Sequence, residues 1–254
     1  MATSTNRVRV AAMADIHCTK TSQGTFQALF SEVNAKADVL VICGDLTDHG
    51  LPEEAQVLAR ELNTAVKIPV VTVLGNHDWH TGKQDEVEKI LCDAGIHVLD
   101  GEHVEVRGVG FAGVKGFGGG FDRHTLESWG EPMIKQFVYE AVEESLKLEK
   151  ALARLDTPHR VALLHYSPIR TTVEGEPEPI FPFLGSSRLE EPINRYPVAA
   201  VFHGHAHRGR PEGKTRSDIP VYNVSLPVLR ESAPDRPPYR VLELPAAVPV
   251  GSEA

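Results

Sequence analysis

The sequence predicts an α/β fold, because short apolar segments alternate along the chain with segments that have the spacing of amphipathic helices. Each apolar segment is four to seven residues long and rich in Val, Leu and Ile. Runs of this kind are typical of buried strands, and their alternation with helices favours at least partly parallel pairing. The predicted strands are Val8–Ala14, Val39–Cys43, Val70–Leu74, Val161–Leu164, Val198–Phe202 and Val221–Val224.

Helical spacing of apolar residues predicts four helices between and after these strands. One of them begins with Pro52, which suits the first turn of a helix, and another is followed by Gly95, which suits a helix end. The predicted helices are Thr25–Lys36, Pro52–Val66, Lys83–Ala94 and Ile134–Leu155.

Other segments have no helical or strand periodicity over their full length. Val104–Val114 is interpreted as one or two strands, and the glycine-rich stretch Gly116–Gly120 as a flexible or tightly turned loop. Phe121–Gly130 has no clear periodicity. Ile169–Gly185 is rich in proline and is predicted to be a long irregular loop, a length usually associated with substrate-facing segments.

The length of 254 residues fits one large domain or two small ones, and no linker-like segment marks a boundary. We therefore expect a single domain over residues 1–245 and a flexible tail at 246–254. No apolar run approaches membrane-spanning length, and the first residues lack a secretory apolar region. Three scattered cysteines without CxxC spacing favour buried thiols in a reducing compartment, so a cytoplasmic location is expected.

The net charge limits the classes of partner that the chain attracts. Lys and Arg together number 26 against 35 for Asp and Glu, which gives a net charge of −9. Such a charge provides no general attraction to nucleic acid or to an anionic membrane. A small substrate is therefore expected, and neither nucleic acid nor membrane is expected as a partner.

Polar residues follow directly after five of the predicted strands. A glycine stands directly before three of these clusters, as Gly44, Gly75 and Gly204, and would let the backbone turn sharply at the strand end. The carboxyl ends of parallel strands share one edge of a sheet, where open α/β folds bind ligands. The clusters are Asp15 and His17; Asp45 and Asp48; Asn76, His77 and Asp78; His165; and His205 and His207.

Seven oxygen and nitrogen donors in these clusters indicate a metal centre. They are Asp15, His17, Asp45, Asn76, His165, His205 and His207. Seven ligands are too many for one catalytic ion with an open coordination position, but they suit two ions that share a bridging carboxylate. Because no cysteine lies among them, two divalent ions such as Mn, Fe or Zn are expected rather than a structural zinc site.

The motifs DxH, GDxxD, GNHD, a single His and GHxH, in this order, are similar to those of the calcineurin-like metallophosphoesterase superfamily. The resemblance spans Asp15 to His207, and the segments GFGGGF and HYSP look like those of a bacterial subgroup. It implies a four-layer α-β-β-α sandwich of two mixed sheets, with a binuclear metal site at the carboxyl edge of the strands. The implied ligands are Asp15, His17 and His207 for one ion and Asn76, His165 and His205 for the other, with Asp45 bridging both.

The same resemblance implies hydrolysis of a small phosphodiester or phosphomonoester by in-line attack of a hydroxide that bridges the two ions. His77 would contact the phosphate or protonate the leaving oxygen, with Asp78 or Asp48 orienting its ring. Further candidates for substrate binding are basic or aromatic residues near the motifs, although exposed surface charge is the alternative for each. They are Tyr166, Arg170, Arg208, Arg123 and Lys115.

Several alternatives within the superfamily differ from this pattern. No Tyr follows Asp45 at the next three positions, which disfavours purple acid phosphatases. His49 stands where the Ser/Thr protein phosphatases have Arg, which disfavours a protein substrate. Cyclic nucleotide phosphodiesterase has the same motif order and remains an alternative. A scaffold that has lost its metals is the non-enzymatic alternative.

Overall fold

Two mixed β-sheets face each other in the computed structural model, which describes residues 7–245. The strands are β1 (Arg7–Met13), β2 (Val39–Cys43), β3 (Val70–Val73), β4 (His97–Val98), β5 (Glu102–Val106), β6 (Val109–Gly113), β7 (Arg160–Leu163), β8 (Val198–His203), β9 (Glu212–Lys214), β10 (Pro220–Asn223) and β11 (Arg240–Pro245).

The order of strands in the first sheet is β11-β1-β2-β3-β4, and in the second it is β5-β6-β7-β8-β10-β9. Strands β1 to β4 run parallel, and β11 pairs antiparallel with β1. In the second sheet β6, β7, β8 and β10 run parallel, while β5 and β9 are antiparallel edge strands. Each sheet is therefore mixed, with a parallel centre.

The sheets pack face to face through fully buried apolar side chains. Val10 of β1 and Val41 of β2 belong to the same buried cluster as Phe111, Leu163 and Phe202 of the second sheet. Because successive side chains of a strand point to opposite faces, the alternate residues are free to pack against helices.

Helices cover the outer face of each sheet. Phe30, Leu58 and Leu91 from three helices pack on the first sheet, and Leu148 and Ile193 from two others pack on the second. The result is the four-layer α-β-β-α sandwich that the resemblance implied. The helices are α1 (Gln27–Lys36), α2 (Pro52–Ala65), α3 (Gln84–Asp93), α4 (Pro132–Arg154), α5 (Phe181–Leu184), α6 (Glu190–Arg195) and α7 (Leu226–Ser232).

The four predicted helices are confirmed as α1 to α4, with each end within two residues of the predicted one. The start of α2 shows why the predicted and observed helix ends agree. Pro52 occupies its first turn, and the buried carboxylate of Glu54 accepts hydrogen bonds from the backbone N–H groups of His49 and Leu51. These N–H groups would otherwise lack partners at the helix start.

The prediction of an irregular loop over Ile169–Gly185 is wrong in part. This segment contains two single-turn 3-10 helices, Thr171–Val173 and Glu178–Ile180, followed by α5. Pro179 and Pro182 lie in the first turns of the last two, where proline favours helix initiation instead of breaking it.

The sequence pattern did not predict α7 or β11. Strand β11 lies at the edge of the first sheet and buries only Leu244, so it lacks the continuous apolar run of a central strand. The predicted tail at 246–254 lies outside the described residues. Within residues 7–245, no helix combines the length and the apolar character required to cross a bilayer.

Candidate metal centre

The seven predicted metal ligands all lie just beyond the carboxyl ends of parallel strands. Both sheets contribute, so their ends converge at one edge of the sandwich. Asp15 and His17 follow β1, Asp45 follows β2, Asn76 follows β3, His165 follows β7, and His205 and His207 follow β8.

Four of these residues have left-handed backbone conformations. The φ angles are 59° for Asp15, 47° for His17, 47° for Asp45 and 69° for His205. Residues other than glycine adopt such angles at an energetic cost, so the surrounding structure must hold them in place. The backbone N–H of His17, for example, donates to the carbonyl of Asp45 at 2.9 Å. The strand ends are thus bent so that the side chains turn into the shared edge.

Glycine at two of the strand ends is required by close packing. A Cβ atom on Gly75 would collide with the backbone and carboxylate of Asp45, and one on Gly204 would collide with the carboxylate of Asp15. Neither glycine has a positive φ angle, whereas Gly44 does, at 82°. The prediction of sharp turns therefore holds for Gly44, while Gly75 and Gly204 are needed to make room for the carboxylates.

Asp15, His17 and His207 form one group of donors. Their ligand atoms all lie within 4.8 Å of one another. The Nε2 atom of His207 lies 2.9 Å from Oδ1 of Asp15, and the carboxylate of Asp15 also accepts the backbone N–H of His205 at 3.1 Å. A buried carboxylate beside two imidazoles is a typical donor set for a divalent transition metal.

A second group consists of Asp45, His165 and His205, whose ligand atoms also lie within 4.8 Å of one another. The amide oxygen of Asn76 joins it, at 2.9 Å from Nε2 of His165. Asp45 connects the two groups. Its Oδ1 lies 3.3 Å from Nε2 of His165, and its Oδ2 lies 3.8 Å from Nε2 of His17. Its two oxygens therefore face different groups of donors.

The hydrogen bonds of the histidines leave nitrogen lone pairs directed at these groups. Nδ1 of His165 donates to the carbonyl of Cys43 at 2.9 Å, so Nε2 is free to act as a ligand. Nε2 of His205 donates in the same way to the carbonyl of Phe183 at 3.1 Å, which leaves Nδ1 free. Such outer hydrogen bonds normally fix the tautomer of metal-binding histidines.

Both ring nitrogens of His17 are buried without a hydrogen-bond partner. A buried polar atom without a partner is costly, and a bound cation would satisfy one of these nitrogens. Together with the donor set, this shows that the residues present fit a divalent metal.

Burial and the two carboxylates set the charges of the imidazoles. Burial lowers the pKa of His17 despite the attraction of nearby Asp45 and Asp15. Burial also lowers the pKa of His205 to about 4, so both rings are neutral near pH 7, as metal binding requires. His165 differs. Burial alone would lower its pKa, but the charge and hydrogen bond of Asp45, the charge of Asp15 and the hydrogen bond to Cys43 together outweigh burial and raise the pKa of His165 to about 9.

His77 lies beside His17 and Asp45 and is oriented by backbone atoms. Its backbone N–H donates to Oδ1 of Asp45 at 2.8 Å, and its Nδ1 lies 2.7 Å from the carbonyl oxygen of Asp48. The carboxylate of Asp48 instead lies 3.4 Å from Nδ1 of His17. Asp48 thus has the expected orienting contact with His77, and this contact is made by its backbone carbonyl rather than by its side chain.

The Asp78 carboxylate does not contact the ring of His77, contrary to the expected orienting role. It is fully buried and accepts hydrogen bonds from the backbone N–H groups of Gly75, Leu46 and Thr47 and from the hydroxyl of Thr47. Burial, with the charge of Asp45 adding to it, raises the pKa of Asp78 to about 6. Its position ties the segment after β3 to the segment after β2.

The predicted substrate-binding residues are placed at different distances from this centre. Tyr166 is buried, with its ring centroid 4.4 Å from that of His205. Arg170 is exposed and pairs with Glu178 at 3.2 Å. Arg208 and Arg123 are exposed as well. The structure thus brings only Tyr166 of these four directly against a candidate ligand.

Lys115 is a further sequence candidate for substrate binding, and the alternative of an exposed surface charge is wrong, since only 7% of it is exposed. Its ammonium donates to the carbonyl of Gly116 at 2.9 Å and faces the rings of Trp79, Phe117 and Tyr166 at 5.0 to 5.5 Å. Burial lowers the pKa of Lys115.

The sequence of residues 8–209 matches the family described as calcineurin-like phosphoesterase. The chain belongs to this family. Its members hydrolyse phosphoesters with the help of metals, usually divalent ones, and the Asp and His cluster at the strand ends could hold such a metal.

Individual relatives are distant in sequence. A transmembrane protein with a metallophosphoesterase domain from Danio rerio is 23% identical over 82% of the chain, and the chain spans 42% of that protein's length. The phosphopantetheinyl hydrolase of Mycobacterium tuberculosis superimposes with a TM-score of 0.65 at 15% identity, over 92% of this chain and 95% of that one. The protein TT1561 of Thermus thermophilus superimposes with a TM-score of 0.53 at 16% identity, over 95% and 100%. At these identities the structural likeness concerns the fold.

Proposed function

We propose that this chain is a phosphoesterase that uses two divalent metal ions to hydrolyse a small phosphodiester or phosphomonoester. The observation that supports a binuclear site is the position of Asp45, whose two carboxylate oxygens face the histidines of different donor groups. A carboxylate in this position is suited to bridging two cations.

The residues that would hold the ions follow from the two donor groups. Asp15, His17 and His207 would bind the first ion, and Asn76, His165 and His205 the second, with Asp45 shared. Oxygen and nitrogen donors without a thiolate favour Mn, Fe or Zn. Bound there, such ions neutralise phosphate charge and make water nucleophilic near neutral pH.

His77 is the residue of this chain best placed to move a proton. When its Nδ1–H donates to the carbonyl of Asp48, its Nε2 is left as the functional nitrogen. In the protonated ring, Nε2–H would donate to a phosphate oxygen or to the leaving oxygen. Its ring centroid lies 4.5 Å from that of His17, and its ligand atom lies within 4.8 Å of those of His17 and Asp45. His77 therefore borders the donor groups and is itself near enough to bind an ion, but each of the two proposed ions has its donors without it.

The expected substrate is small. The net charge of −9 does not favour a polyanionic partner such as nucleic acid. Tyr166 borders the second donor group and is proposed to contact the substrate. Arg170, Arg208 and Arg123 remain candidates at the protein surface.

The proposal is tested by metal analysis followed by hydrolysis assays. Purified protein supplied with Mn²⁺ is expected to retain two metal equivalents after dialysis and to hydrolyse bis(p-nitrophenyl) phosphate, p-nitrophenyl phosphate or both. The ratio of the two rates distinguishes diesterase from monoesterase activity. Two bound equivalents with no hydrolysis of either compound would contradict the proposed activity, and fewer than two equivalents would contradict the binuclear site.

A further inference from the structure

A row of aromatic side chains extends from the candidate metal centre to the protein surface. The ring of Tyr166 lies 4.4 Å from that of His205 and 5.9 Å from that of Phe117, measured between centroids. Phe117 lies 4.9 Å from Phe137, and Phe137 lies 6.0 Å from Phe183. We call Tyr166, Phe117, Phe137 and Phe183 the aromatic wall.

The inner part of this wall is held in place by buried charged groups. The ammonium of Lys115 lies 5.0 Å from the ring of Phe117 and 5.4 Å from that of Tyr166, within the range of cation–π attraction. The N–H of Gly116, between Lys115 and Phe117, donates to the buried carboxylate of Glu144 at 2.7 Å. The glycine-rich loop is therefore anchored where it carries Phe117, so the wall is preorganised for binding.

The outer part of the wall is open to solvent. Phe183 is 59% exposed, and Met133 and Ile134 are 74% and 48% exposed. Met133 and Ile134 precede Phe137 by four and three residues on α4, so they lie on the same face of the helix. Contiguous apolar surface that reaches a binding site is typical of an apolar ligand group.

The wall is also connected directly to the candidate ligands, since the carbonyl of Phe183 accepts the Nε2–H of His205 at 3.1 Å. Beside His17, in the other donor group, the neighbours are instead polar: Asp48 lies 3.4 Å from His17 and pairs with the exposed His49. A phosphoryl group held at the donor groups could therefore direct an apolar substituent towards the wall and away from this polar side.

We propose that the aromatic wall binds an apolar organic group of the substrate, so that the enzyme prefers phosphoesters that carry an aryl or similarly apolar ester group. This inference rests on the proposed phosphoesterase function. It adds the class of substrate, and it assigns Phe183 and Phe117 as residues that determine specificity.

Two phosphodiesters with the same leaving group test this inference. Phenyl p-nitrophenyl phosphate and methyl p-nitrophenyl phosphate both release p-nitrophenolate. They differ only in the ester group that stays on phosphorus, which is the group assigned to the wall. The phenyl-to-methyl ratio of kcat/KM is measured with Mn²⁺ for wild type and variants, which cancels the intrinsic difference in reactivity. Phe183→Ala is expected to lower this ratio by about threefold to tenfold, the range typical of an aromatic contact.

Two control variants test whether a change in the phenyl-to-methyl ratio is due to loss of the aromatic ring at position 183. Phe183→Tyr keeps the ring and is expected to keep the ratio of wild type. Leu146→Ala removes an apolar side chain that is similarly exposed, at 57%. Leu146 lies on α4 nine residues beyond the wall residue Phe137. This variant is expected to leave both rates unchanged. If Phe183→Ala slows both esters to the same extent or leaves the ratio unchanged, the inference is overturned.

A second readout is independent of catalysis. In saturation-transfer difference NMR with phenylphosphonate, the ring protons are expected to receive saturation from the wild-type protein and at least about threefold less from Phe183→Ala. If the wild type hydrolyses neither ester, the proposed function fails. The NMR result then decides by itself whether the aromatic wall binds an aryl group. Equal saturation in wild type and Phe183→Ala would overturn the inference, whether or not the esters are hydrolysed.

Discussion

The Nδ1 atom of His77 lies 2.7 Å from the backbone carbonyl oxygen of Asp48. Since a carbonyl only accepts hydrogen bonds, Nδ1 carries the hydrogen and Nε2 is the nitrogen left for chemistry. The bond does not depend on the Asp48 side chain. The orientation of His77 is therefore a property of the backbone after β2, the same segment that supplies Asp45.

We predict that His77→Ala lowers turnover far more than it lowers metal content. Loss of a proton donor typically costs about 10²- to 10⁴-fold in rate. Both proposed ions keep their donors without His77, although His77 lies near enough to His17 and Asp45 to act as a ligand. Bound Mn²⁺ is measured by mass spectrometry. The turnover number kcat is measured with bis(p-nitrophenyl) phosphate as substrate. His97→Ala serves as the control, because His97 is an exposed histidine on edge strand β4. Loss of metal in proportion to activity would instead make His77 a ligand.

We predict that Asp45→Asn empties the metal centre while Asp48→Asn does not. The substitution removes the negative charge that both donor groups share. The affinity of Asp45→Asn for Mn²⁺ is expected to fall by at least about 100-fold, because even substitution of a residue that hydrogen-bonds to a metal ligand often lowers metal affinity 10- to 100-fold. Asp48→Asn preserves the carbonyl that contacts His77 and is expected to retain most of the metal. Equilibrium dialysis against Mn²⁺ measures both variants, and equal affinities would contradict the bridging role of Asp45.

We predict that Asp78→Ala mainly reduces stability. Its carboxylate satisfies three buried N–H groups and one hydroxyl, and it ties together the segments after β2 and β3. Leaving several buried donors without a partner is expected to lower the free energy of unfolding by about 2–4 kcal/mol. Urea denaturation in the presence of EDTA measures the effect without a contribution from bound metal.

Asp93 provides a matched control for Asp78. Its side chain is 66% exposed and pairs with Lys89 on the same helix. Asp93→Ala is expected to change stability by less than about 0.5 kcal/mol, as is usual for exposed pairs. A comparable loss in both variants would show that the network around Asp78 contributes little.

The central strands and the positions of the predicted ligands could be read from the sequence because they combine two strong signals. Buried parallel strands such as β2 require continuous apolar runs, and a polar residue directly after such a run lies at the carboxyl edge of the sheet. Asp45 and His165 satisfy both conditions although they are 120 residues apart.

Contacts through backbone atoms could not be predicted in the same way. The carbonyl of Cys43 holds His165 and the carbonyl of Asp48 holds His77, and any residue type supplies a carbonyl. The burial of Lys115 and the exposure of Phe183 depend on how the glycine-rich loop and α5 pack, which local patterns do not encode. Edge strand β11 was missed for a related reason, since half-exposed strands carry a weak apolar signal.

The ion pair between Arg9 and Asp38 predicts a specific loss of stability in acid. Two N–H groups of the guanidinium donate to the two oxygens of Asp38 at 3.0 Å each, and this holds the pKa of Asp38 below its usual value. The unfolded chain therefore takes up the proton first as pH falls below about 4, so the stabilisation is complete at pH 7 and is lost towards the lower folded pKa.

Asp38→Asn should thus lower the free energy of unfolding at pH 7 by about 0.5–1 kcal/mol, because the pair is partly exposed, and by less at pH 3. Urea midpoints at the two pH values measure this difference. Glu243→Gln removes the more exposed pair with Arg7 and is the control, with little expected change at either pH. Since no candidate metal ligand takes part in the pair, metal content should be unaffected. A loss for Asp38→Asn that is as large at pH 3 as at pH 7 would mean that the charge of Asp38 does not contribute to stability.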